Sequence, residues 1–114
     1  MKEQHCETYW ARIYIAGDVA HAKKIVRKYV WEEGLCVTVT PTNYIYTGGE
    51  EAGMMVELID YPRFPSTPKD IAETAVDLGM KLMEKLYQRS FSVVTPTDTV
   101  RYTRGEEVEA RREK

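Results

Sequence analysis

The chain has 114 residues, a formal net charge of -2, 43% hydrophobic residues and 30% charged ones. That length fits one domain around a single core, and the composition is that of a soluble globular protein without low-complexity tracts. A balance so near neutral, with no stripe of Lys and Arg interleaved with aromatics, argues against a nucleic-acid platform. No apolar run approaches the roughly 20 residues that span a bilayer, and the opening MKEQHCETYW has no apolar signal region, so a cytoplasmic protein without membrane contact is expected.

In chain order, ARIYIAG at residues 11–17 alternates and predicts the first strand. Asp18 then offers an N-cap, and Val19, Ala22, Val26, Tyr29 and Val30 recur at helical spacing until Gly34 stops the helix. LCVTVT at residues 35–40 predicts a strand with Leu35, Val37 and Val39 on one face, which Pro41 is expected to interrupt before NYIYT resumes it. A turn at Gly48-Gly49-Glu50-Glu51 leads into MMVELIDY, residues 54–61, and makes a hairpin. Thr67, Pro68 and Asp70 together predict a helix start, with hydroxyl cap, first-turn proline and first-turn acid. Ile71, Ala75, Leu78, Leu82 and Leu86 form its apolar stripe, broadened by Met80 and Met83, to about Gln88. A strand is expected at residues 90–94, and TPTDTVRYT offers a further edge segment. Residues 104–114 are nearly all charge and read as a tail, a solvated helix or disorder, appended to a domain spanning 1–103.

The order is βαββαβ, an α+β ferredoxin-like arrangement with two helices on one face of an antiparallel sheet. Ile13, Ile15, Val37, Val39, Met54, Val56 and Leu58 then face the helices, and the open face carries Tyr14, Cys36, Thr38, Met55, Glu57, Ile59 and Tyr61. Such a face is too apolar to stand wholly in water, so a second copy of the chain should cover part of it. A homo-oligomer is expected, a trimer first, because small proteins of this topology often close into rings.

Glu57 stands in the middle of an otherwise apolar strand. An unpaired carboxylate on a covered face costs several kcal/mol or neutralises itself, so Glu57 must meet water, a partner residue or a cationic ligand. A solvated sheet face is the plain alternative. Cys6 and Cys36 lie far apart with no CxxC, so no disulfide framework is expected. His5, Cys6, His21 and Cys36 show no metal-ligand spacing, there is no GxSxG elbow, and Gly48-Gly49 is too short to cradle phosphate. No metal or cofactor is expected.

The stretch from GLCVTVTPTNYIYTGG to SFSVVTPTDT, residues 34–99, resembles the small phage-encoded enzymes that destroy S-adenosylmethionine, once called hydrolases and now understood as lyases. The likeness lies in element order, in a Gly-Leu opening the second strand, and in a tyrosine eleven positions before a strand glutamate, here Tyr46 and Glu57; it extends over residues 11–103. The resemblance implies that Glu57 and Tyr46 are catalytic, and that Tyr44, Glu51 and Tyr61 bind substrate at subunit interfaces. The family's second acidic residue could be Glu51, Glu73 or Glu84. It implies a reaction without cofactor, in which the substrate's own carboxylate attacks its γ-carbon to release 5′-methylthioadenosine and homoserine lactone, serving phage evasion of host restriction-modification. Two other classes remain compatible with these residues: a ferredoxin-like oligomer that binds a metabolite or nucleotide without turnover, and a phage anti-defence protein that covers a host protein.

Overall fold

Both helix starts written into the sequence are used in the computed structural model, which describes residues 1–105. The Asp18 carboxylate accepts a 2.8 Å hydrogen bond from the His21 amide to open α1 (Val19–Glu33), and Gly34 closes it in the left-handed conformation at φ 71°. The Thr67 hydroxyl accepts from the Asp70 amide at 3.1 Å to open α2 (Pro68–Lys85). The helix stops short of Gln88, and Tyr87 takes a left-handed φ of 57° as the chain turns back toward the sheet. The stripe Ile71, Ala75, Leu78, Leu82 and Leu86 is buried together with Met83. Met80 is not part of it: it is 50% exposed, because only one side of α2 is covered.

The strands are β1 (Trp10–Ala16), β2 (Val37–Tyr46), β3 (Gly49–Ile59), β4 (Ser90–Val94) and β5 (Thr99–Thr103). They form one sheet in the order β2-β3-β1-β4-β5, antiparallel throughout. The edge segment offered by TPTDTVRYT is thus a full fifth strand. Pro41 does not interrupt β2, whose pairing runs unbroken through Thr40↔Met55, Pro41↔Met54 and Thr42↔Gly53. The reason is position: β2 is an edge strand, where alternate amides point away from the ladder and a proline removes no pairing. The hairpin turn also differs from expectation. Tyr46 pairs with Gly49, leaving Thr47-Gly48 as the two-residue loop, with Gly48 at φ 92°. Tyr61 lies beyond β3, in an isolated bridge with Phe64, where the Asp60 carboxylate accepts from the Ser66 amide at 2.9 Å and turns the chain away.

One sheet face is buried under the helices, through Ala11, Ile13, Ile15, Met54, Val56, Leu58, Phe91 and Val93. At about 25 cal/mol per Å² of apolar area removed from water, side chains of this size each contribute roughly 1.5–3 kcal/mol, which makes this layer the main source of stability. The helices are tied to each other by the Tyr29 hydroxyl, which donates to the Asp77 carboxylate at 2.8 Å. Burial first, and then Asp77, push the Tyr29 pKa well above the ordinary tyrosine value. Because the folded pKa is raised, this stabilisation is complete below about pH 10 and is lost as pH climbs above it. Tyr29→Phe should therefore cost about 1 kcal/mol in denaturant melts at pH 7 to 9, with the gap to wild type closing at higher pH. A gap that stayed constant up to pH 11 would contradict the assignment.

β1 ends opposite Gly53, so the β2–β3 hairpin continues past the rest of the sheet as a two-stranded arm. At its tip Ile45 is 77% and Tyr46 52% exposed. Among the described residues no helix is long and apolar enough to cross a membrane. The tail expected from residue 104 onward lies, from residue 106, outside the described residues.

Candidate functional site

Strand register sorts the open face into rows. Thr38, Glu57, Arg12, Val94 and Thr99 form one row, and Thr40, Met55, Tyr14, Ser92 and Arg101 form the next. In the first row the Arg12 Nε donates to Glu57 Oε2 at 2.8 Å, with the two side chains 37% and 23% exposed. Of the three partners expected for Glu57, a neighbouring residue is the one it has. The hydrogen bond to Glu57 raises the Arg12 pKa, and desolvation opposes this more weakly. The guanidinium also lies over the Trp10 ring, with Cζ 4.1 Å from the centroid. Arg12 is thereby held from two sides, while Glu57 Oε1 has no hydrogen-bond partner among the described residues.

One row along, the face hollows into a cleft of about 440 Å³, lined among others by Tyr14, Tyr44, Glu51, Ser90, Ser92 and Arg101. A glycine lets the Tyr44 wall pack down onto the sheet. A side chain at Gly53 would run into the backbone of Ile15, and Tyr44 fills the space instead, its Cε2 2.7 Å from where a Cβ would sit. The Tyr44 hydroxyl accepts from the Ile15 amide at 3.1 Å and donates to the Met54 carbonyl at 2.5 Å, bridging β1 and β3. Burial raises the Tyr44 pKa, against a smaller opposing effect of the Ile15 amide, so the ring is a neutral, fixed wall. Tyr14 packs edge-on against it at 6.5 Å and 69°. Across the cleft, Arg101 Nη2 donates to the Ser90 hydroxyl at 3.2 Å.

The five residues singled out from sequence are strung along the sheet. Tyr44 and Glu51 are register partners and share the cleft. Tyr46 sits at the arm's tip, and Tyr61 stacks on Phe64 at 6.5 Å near the opposite end of β3. Thr38 faces Glu57, and Tyr46 lies eight residues further along β2. At about 3.3 Å per residue, Tyr46 and Glu57 of one chain are roughly 26 Å apart. Of the three acidic alternatives, Glu51 is on the open face. Glu73 pairs with Lys69 at 2.6 Å on α2, and Glu84 belongs to the same helix on the other side of the sheet. The sequence alone does not single out Arg101, Ser90 and Ser92, since only sheet order brings β4 beside β1 and β5 beside β4. The one available signal is the charge at Arg101 within the otherwise uncharged β5. Among the described residues no three His, Cys, Asp or Glu side chains are grouped to hold a metal.

No protein-family model matches the chain, and no curated protein sequence does either. Two solved structures do. A phage SAM lyase in its apo state is 19% identical with a TM-score of 0.69, over 91% of this chain and 96% of that one. A phage SAM lyase in complex with S-methyl-5′-thioadenosine is 17% identical with a TM-score of 0.58, over 91% of this chain and 95% of that one. Across nine tenths of its length, the chain has the fold of the phage SAM lyases.

Proposed function

We propose that this protein is an S-adenosylmethionine lyase, cleaving its substrate to 5′-methylthioadenosine and homoserine lactone in the cytoplasm of a phage-infected host and so depriving restriction-modification systems of the methyl donor. The observation that carries the reading is the likeness, over 91% of this chain, to a phage SAM lyase that binds S-methyl-5′-thioadenosine. The proposed product is that same molecule. The topology fits a ferredoxin-like core extended by β5.

In the reaction, a substrate carboxylate oxygen forms a bond to the γ-carbon as the γ-carbon to sulfur bond breaks. The electron pair passes to the sulfonium, which leaves as a neutral thioether, and no proton is gained or lost. The protein has then to fold the methionyl chain into attack geometry and keep water out, and orientation of this kind contributes roughly 7–11 kcal/mol in favourable cases. Glu57 is the proposed charge partner of the sulfonium or ammonium through its open oxygen. Tyr44, Glu51 and Tyr61 are proposed to bind substrate, and Tyr46 to act beside Glu57. The roughly 26 Å between Tyr46 and Glu57 in one chain, and the roughly 20 Å between Glu51 and Glu57 six residues apart on β3, mean that a shared site takes the arm residues Tyr44, Tyr46 and Glu51 from one copy and Glu57 from another. The exposed arm tip, with Ile45 and Tyr46 unpacked, suits that role. A trimer closing head to tail is the assembly proposed.

Incubating the purified protein with S-adenosylmethionine in oxygen-18 water, with products followed by mass spectrometry, tests the reading. Methylthioadenosine with unlabelled lactone is expected. Label in the hydroxyl of the earliest homoserine would make water the nucleophile, and intact substrate would sink the activity. Light scattering on the same sample should give a multiple of the chain mass, whereas a monomer at micromolar concentration would exclude the two-copy site.

A further inference from the structure

We infer that the cleft between the β2–β3 arm and β5 binds a ligand with separated charges, its carboxylate on Arg101 and its positively charged centre between the tyrosine rings and Glu51. The volume, about 440 Å³, lies in the range of small-ligand pockets. Three charged side chains line it, Glu51 on the arm side and Arg89 and Arg101 on the other, and among the described residues neither Glu51 nor Arg101 has an ion-pair partner. Arg101 is anchored on one side by the Ser90 hydroxyl, leaving the rest of its planar fork turned to solvent, and a guanidinium matches a carboxylate in bidentate geometry. Between the charged walls, Tyr14 and Tyr44 meet at 69°, and Tyr44 cannot turn away because both the Ile15 amide and the Met54 carbonyl hold its hydroxyl. A fixed ring face attracts a cation at no cost in ordering the ring. Tyr14 is two residues along β1 from Arg12, so the cleft lies one register row from the Arg12–Glu57 pair without including it.

The charge layout is therefore that of an amino acid carrying a sulfonium or thioether-linked nucleoside. The ligand's identity rests on the lyase reading, while the site's chemistry does not. Arg101 would be a specificity residue that recognises the carboxylate and orients it, and would distinguish ligands with the amino-acid end from those without it.

The test is calorimetric titration of wild type and Arg101→Gln with S-adenosylhomocysteine, which has the amino-acid end and is not a lyase substrate, and with methylthioadenosine, which lacks that end. Arg101→Gln should weaken S-adenosylhomocysteine about tenfold or more while leaving methylthioadenosine within about twofold. Arg101→Lys, keeping the charge without the fork, should fall between. Equal weakening of both ligands, no weakening of either, or failure of wild type to bind S-adenosylhomocysteine would overturn the assignment. If Arg101-dependent discrimination is present and no product forms from S-adenosylmethionine, the lyase reading fails and this site stands. If product forms and Arg101→Gln binds both ligands as wild type does, the reverse holds.

Discussion

Glu57→Gln is expected to lower kcat/KM toward S-adenosylmethionine roughly a hundredfold while leaving the melting curve close to wild type. The substitution keeps volume and the capacity to accept one hydrogen bond, so the strand and its pairing with Arg12 and Thr38 are undisturbed. What changes is charge. In the native face Arg12 and Glu57 offset each other, and Glu57 Oε1 has no hydrogen-bond partner among the described residues. Removing the carboxylate leaves an unopposed guanidinium, stacked on Trp10, where the proposed lyase would meet a positively charged substrate. Attraction becomes repulsion at one point. The stability cost stays small because both side chains reach water, and pairs so placed contribute at most about 1 kcal/mol. Tyr46→Phe should cost less, since the ring remains. Unaltered turnover in Glu57→Gln would return Glu57 to a structural pairing with Arg12, and a large loss of stability would mean that the pair holds the sheet together.

What was legible in the sequence was chemistry that acts over a few residues. Asp18, Gly34 and Thr67 mark helix ends because their side chains or conformations serve amides one turn away, and all three are used as expected. Within the strands the two-residue alternation assigned both faces correctly, since pleat alone decides which way Ile13 or Val56 points, whereas Cys36 and Tyr61, expected on the open face, lie beyond the ends of β2 and β3. What failed depended on neighbours distant in sequence. Pro41 reads as a break until β2 is known to be an edge strand. The Gly48-Gly49 pair offers two possible turns, and the choice falls to the register that pairs Tyr46 with Gly49. Met80 has the spacing of a core residue, but nothing in the order of elements says that α2 is covered on one side only. The cleft is the extreme case. Its walls come from β1, β2, β3, β4 and β5, and Arg101 meets Tyr14 only through Ser92, which pairs with both. The resemblance to phage enzymes rests on the β2–β3 hairpin, which holds Tyr44 and Glu51 but none of the far wall.

The largest effect on stability is expected from the smallest substitution. Gly79 lies inside α2, where alanine would ordinarily favour the helix by about 1 kcal/mol. Here the helix rests directly on Phe91 of β4, and a Cβ at Gly79 would overlap the ring, with Cδ2 at 2.6 Å and Cζ at 2.9 Å and a further ring atom closer still. Those distances cannot be absorbed by a small rotation, because the Phe91 ring is 2% exposed and stacked on Tyr102 at 5.0 Å and 17°. Either α2 lifts from the sheet, opening gaps around Leu78 and Leu82, or the ring leaves its stack and β5 loses its main apolar contact. Gly79→Ala should therefore destabilise by roughly 2–3 kcal/mol after the propensity gain, and lower the melting temperature by about 10 °C for a chain of this size. Gly79→Ala combined with Phe91→Leu should recover part of that loss, because the shorter side chain frees the space, so the two effects would not add. A melting temperature at or above wild type for Gly79→Ala alone would mean that the α2 to β4 packing is looser than these distances require, and that the glycine is kept for something other than the close approach of Phe91.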